Sequence, residues 1–207
     1  MQKEMNLSYW KRYILAAVCA AFVAFFAAAA VRVDANSVIS VNSRANAKYS
    51  KKVKSLLDSG NYRTVEYKFT DITGDGINEA LLLLSPKNAG STVVFRIFDY
   101  DTATGRIKRI LNYRGKYLEK LLVYKTNKTL ILEYSGKGAK EYDYFSMKKG
   151  VYVLDAYKLR PASSSVWQFY NKDGKRISES DFKKLIKGVK YGKRTIIRTS
   201  TFTIALS

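Results

Sequence analysis

The sequence contains no histidine and one cysteine, and its 37 basic residues outnumber 17 acidic ones. Without histidine there is no Ser-His-Asp triad, no imidazole general base and no histidine metal ligand. The single cysteine, Cys19, lies inside an N-terminal apolar run with Val18 before it. A lipoprotein signal needs a small residue at that preceding position, so Cys19 reads as part of the apolar run and not as a lipidation site. The rest of the chain then has no thiol, which excludes a disulfide framework and leaves zinc without its usual cysteine and histidine ligands. No P-loop and no dinucleotide-binding glycine fingerprint occurs either.

What is present begins with an export pattern. Lys11 and Arg12 precede an unbroken apolar run from Ile14 to Val31, and Val33-Asp34-Ala35 has the small-x-Ala form that a signal peptidase reads. This order predicts a signal peptide over residues 1–35 and one exported domain over 36–207, secreted or on the extracellular face of the cell envelope. Cleavage after Ala29 or Ala30 is an alternative. So is an uncleaved signal anchor, since the run approaches the roughly 18 residues at which a spanning helix forms. Only in that case would residues 14–31 contact a membrane. Alanine buries little apolar area, which favours cleavage.

The chain has 207 residues and a net charge of +20. The first 35 residues hold four basic side chains (Lys3, Lys11, Arg12, Arg32) and two acidic ones (Glu4, Asp34), so the remainder carries +18. That charge attracts polyanions without specifying a fold. Tyrosine and lysine are interleaved in Tyr113-Arg-Gly-Lys-Tyr117, Tyr142-Asp-Tyr-Phe145 and Tyr152–Lys158. A sheet face of that composition suits an anionic envelope polymer or a glycan, which are nearer partners for an exported domain than nucleic acid. Strand propensity and a solvated lysine face also account for the pattern.

Periodicity sets the expected fold. Asn36–Asn46 is small and polar and reads as a linker. Tyr49, Val53, Leu56 and Leu57 share one helical face and Gly60 follows at a C-cap, which predicts a helix over Arg44–Ser59. From Thr64 the period becomes that of strands: Val65–Thr70, Glu79–Ser85, Thr92–Tyr100, Arg106–Tyr113, Leu118–Lys125, Thr129–Tyr134, Lys140–Met147, Tyr152–Lys158 and Val166–Tyr170. Leu81–Leu84 is continuously apolar, as in a strand covered on both faces. Ser178-x-x-Asp181 resembles a capping box ahead of an apolar helical face at Phe182, Leu185, Ile186 and Val189. Thr195–Leu206 reads as a final strand. The expected class is α+β: a single antiparallel sheet, strongly twisted or partly closed, with a helix near each end of the exported domain.

The most informative stretch is Asp71-Ile-Thr-Gly-Asp-Gly-Ile-Asn-Glu79. Calcium takes roughly six to eight oxygens, and a tight loop supplies them from alternate side chains and a backbone carbonyl. The candidate ligands are Asp71, Thr73, Asp75, the carbonyl of Ile77, and Glu79. An EF-hand is excluded, because Leu82 occupies the position of its bidentate glutamate. The competing reading is a structural turn, for which Asp75-Gly76 is a strong signal.

At this loop the chain resembles a group of poorly characterised exported proteins of Gram-positive gut bacteria, many of them clostridial. These carry a signal or lipoprotein peptide, a helix, a strand, an Asp-x-x-Gly-Asp-Gly-x-x-Glu-Leu loop and a further strand. Ala80 departs from that pattern, standing where leucine is commoner. The resemblance continues into the tyrosine-rich strands and the segment from Phe169 to Phe182. It implies a surface or secreted domain with a calcium loop and no known activity. The expected function is therefore a non-enzymatic cell-envelope or secreted binding domain. A carboxylate-dependent hydrolase of cell-wall glycan and a membrane-anchored structural domain are the alternatives.

Overall fold

The computed structural model describes residues 35–205 apart from 89, 91, 116, 190 and 191. The export segment over residues 1–34, with its apolar run, lies outside the described residues. No helix among the described residues is long and apolar enough to cross a membrane.

The first helix, α1, spans Ala35–Asp58, so the stretch expected as a linker is helical. Asn42 and Asn46 broke the apolar pattern and hid this. They continue the stripe of Ala45, Tyr49, Val53 and Leu56 at helical spacing, but with polar side chains. The strands follow as β1 Tyr62–Thr70, β2 Glu79–Pro86, β3 Val93–Asp101, β4 Arg106–Gly115, β5 Leu118–Tyr124, β6 Thr129–Gly136, β7 Ala139–Lys148, β8 Val151–Arg160, β9 Gln168–Asn171 and β10 Arg176–Ile177. A second helix, α2, covers Glu179–Leu185, and β11 Arg194–Arg198 and β12 Thr203–Ala205 end the described chain.

These strands build two sheets and not the single one expected. The first has the order β12-β1-β2-β3-β4 and the second β10-β9-β8-β7-β6-β5-β11. Every pairing is antiparallel. Alternating patterns give the faces of each strand but not its neighbour, and here the neighbour changes at the link after Gly115. β4 pairs with β3 only, whereas β5 pairs with β6 and β11. The expected final strand is also divided. The 3₁₀ turn Thr199–Thr201 lets the chain leave β11 in the second sheet and enter β12 in the first. The Thr199 hydroxyl fixes this crossing by donating to the carbonyls of Leu118 at 3.1 Å and Glu119 at 3.0 Å.

The two sheets bury a common core that includes Leu81, Leu83, Phe95, Ile97, Leu121, Val123, Leu130, Leu132 and Phe145. Sheets so stacked lie about 10 Å apart. On β2 the alternate residues Ala80, Leu82 and Leu84 face the other way, against Tyr49, Val53 and Leu56 of α1. All of Glu79–Leu84 is therefore buried, as the continuous leucine run requires. α2 covers part of the outer face of the second sheet through Phe182, whose ring meets Tyr144 edge-on at 5.3 Å. Its capping residue is Ser178, which accepts from the Asp181 amide. Leu185, expected on its apolar face, is 48% exposed, because the helix stops there and Ile186 and Val189 complete the contact from the following turn. The layers run α1, first sheet, second sheet, α2.

Candidate metal-binding loop

The loop between β1 and β2 is held by its own side chains. Asp71 accepts from the Gly74 amide at 2.6 Å and the Gly76 amide at 3.3 Å. Asp75 accepts from the Ile77 amide at 2.9 Å. Gly74 and Gly76 have φ of +86° and +85°, a region in which a side chain costs energy, so glycine is required at both turns. Glu79, the first residue of β2, is fully buried. Its carboxylate accepts from the Ile72 amide at 2.6 Å and the Thr73 hydroxyl at 2.8 Å.

These contacts bring Asp71, Asp75 and Glu79 together. One carboxylate oxygen from each lies within 4.8 Å of the others, a grouping able to hold a metal ion. Thr73 is buried beside them, with its hydroxyl directed to Glu79. Ile77 packs its side chain toward α1. The carbonyls on either side of it, Gly76 and Asn78, accept from the Asn42 side chain at 3.0 Å and the Tyr49 hydroxyl at 2.8 Å.

Two supports came from far away in sequence. Along α1, Asn42 also accepts from the Asn78 amide at 2.7 Å, so the helix clamps the loop through both backbone groups of that turn. Asparagines at helical spacing ahead of Tyr49 are the signal that could have revealed this. From the 3₁₀ turn after β5, the Lys125 ammonium reaches the Asp71 carboxylate at 2.9 Å. No sequence pattern links residues 54 positions apart in this way.

The electrostatics follow from crowding. Burial pushes the Glu79 carboxyl up to about 7, against the lowering effect of its two hydrogen bonds, and the neighbouring Asp75 and Asp71 add to the rise. Burial also raises the Tyr49 phenol, with Asp99, Glu79 and Asp75 contributing. Three carboxylates face one lysine here, so a small divalent cation would offset charge that Lys125 leaves uncompensated. Asp101, at the end of β3, is exposed and accepts from the Ala103 and Thr104 amides. No protein-family model and no curated protein matches the chain.

Proposed function

We propose that this is a non-enzymatic exported binding domain whose 71–79 loop takes a calcium ion. The observation that carries the reading is the convergence of Asp71, Asp75 and Glu79 within 4.8 Å. Hard oxygens from carboxylates suit calcium better than a softer transition metal. The resemblance of Asp71–Glu79 to the loop of clostridial-type exported proteins supports the same assignment. Asp71 and Asp75 would meet the ion from the partly open side and Glu79 from the buried side. The loop backbone is already fixed by α1, so binding needs little ordering.

Calcium titration of chelator-treated protein tests this. Extracellular calcium modules bind with dissociation constants of about 10⁻⁴–10⁻³ M. At ten to a hundred times that concentration, linkage stabilises the folded state by about 1.4–2.7 kcal/mol. The melting temperature should rise by several degrees, and Asp71→Asn with Asp75→Asn should abolish the rise. No heat and no melting shift at 10 mM calcium would refute the assignment and leave a structural turn.

A further inference from the structure

Beside the strip of the second sheet that α2 covers runs an uncovered row of side chains in register across five strands. Arg198 on β11 pairs with Lys120 on β5, Lys120 with Glu133 on β6, Glu133 with Tyr142 on β7, and Tyr142 with Lys158 on β8. Adjacent strands lie about 4.8 Å apart, so the row is roughly 19 Å long. It borders a groove of about 300 Å³ to which Arg194 also contributes. At the β8 end, the Lys158 ammonium sits 4.4 Å from the centre of the Trp167 ring and 4.9 Å from that of Tyr142. The Arg160 guanidinium lies 5.5 Å from the same indole.

The charge of the row is lopsided. Glu133 is buried and paired to Lys120 at 3.0 Å, so its charge is neutralised within the row. Glu119 approaches the same lysine at 3.9 Å. Arg198 and Lys158 stand at the two ends of the row, Arg160 lies two residues beyond Lys158 along β8, and Arg194, opposite Tyr124 and four residues from Arg198 along β11, flanks the groove. An extended ligand with repeated negative charge matches cations spread across the row and along the groove. Trp167 and Tyr142 meet at 5.5 Å and 55°, a tilted contact with no parallel slot between the rings. A single strand of nucleic acid needs successive open rings for its bases. A pyranose ring needs one aromatic face for its C–H groups.

We propose that this row and the groove beside it bind an acidic polysaccharide, with carboxylate groups at Arg194, Arg198 and Lys158 and one sugar ring against Trp167. The inference stands apart from the calcium loop, because the groove uses none of its residues. The test uses the full chain and hyaluronan oligosaccharides, which carry pyranose rings and carboxylates, at two salt concentrations. With Trp10→Phe, Trp167 is the remaining indole of the chain's two tryptophans. Its emission should change saturably with hyaluronan and not with neutral dextran, a readout that needs no change in the groove. Arg194→Gln with Lys158→Gln should weaken binding at least tenfold. The control removes the same charge from exposed positions of α1, Lys51→Gln with Lys54→Gln, and should weaken it less than threefold. Trp167→Ala should lower affinity without altering the salt dependence. Equal losses from the two charge pairs, or an unresponsive Trp167, would show diffuse attraction to a basic protein and overturn the proposal. Tighter binding of oligo(dT) with the same residue dependence would overturn it in favour of nucleic acid.

Discussion

Asp143 is 1% exposed in the core between the sheets, and neither of its carboxylate oxygens meets hydrogen-bond geometry with a partner. The Tyr113 and Tyr134 hydroxyls lie near enough to favour its ionised form, and Glu141 opposes it. Burial dominates and raises the carboxyl to about 8, from an ordinary 3.8. The native state therefore binds one more proton than the unfolded chain between those two values. Its stability contribution is complete below about pH 4 and is lost as pH rises toward 8, at about 1.4 kcal/mol per unit. From pH 5 to pH 7 that is about 3 kcal/mol, a large fraction of the stability of an ordinary domain. Asp143→Asn removes this titration and leaves an amide that the two phenols can still meet. Urea unfolding at pH 5, 6, 7 and 8 should show wild-type stability falling with pH, and the variant falling less steeply by about 1.4 kcal/mol per unit. Raised carboxyls away from Asp143 cancel in the comparison, and Glu141→Gln introduced into both proteins removes the neighbour that would not. Equal slopes for the two proteins would show instead that Asp143 is ionised in the native core.

Two predictions concern the loop. Gly74→Ala places a methyl group at φ +86° and 3.1 Å from the Lys125 Cβ, and should cost about 1–3 kcal/mol in urea unfolding. Lys125→Met removes a partly exposed ion pair at 2.9 Å, worth about 1 kcal/mol. If Lys125 competes for the Asp71 carboxylate, calcium titration of this variant should show affinity raised about fivefold, whereas an unchanged affinity would place the ammonium outside the ion's reach.

Most strands were legible because their residues alternate and their turns carry glycine or asparagine. β2 was legible as a central strand for a different reason: four consecutive leucines need cover on both sides, and α1 and the second sheet supply it. The division into two sheets was not legible, since nothing in the residues of β4 and β5 marks that these consecutive strands do not pair with each other. The early start of α1 was hidden because Asn42 and Asn46 face a loop and not a core. Among the site residues, Asp71, Asp75 and Glu79 were readable from one local motif. Lys125 and the α1 asparagines were not, because their roles depend on tertiary approach.

The absence of a cysteine pair bears on how the two sheets stay together. A disulfide would constrain the unfolded chain, and here that role falls to the core and to polar links where the chain passes between sheets. Thr199 ties the β11–β12 crossing to the carbonyls of β5. Near the same crossing, Lys68 of β1 donates to the Thr201 hydroxyl at 2.9 Å. Lys125, following β5, reaches Asp71, following β1. The Thr199 and Lys125 links join the first-sheet side to β5 of the second sheet or the turn after it, and the Lys68 link ties β1 to the turn that leads into β12. A cation taken up at Asp71 would thus act on one of the polar connections between the sheets, and its effect on stability would be global and not confined to the loop.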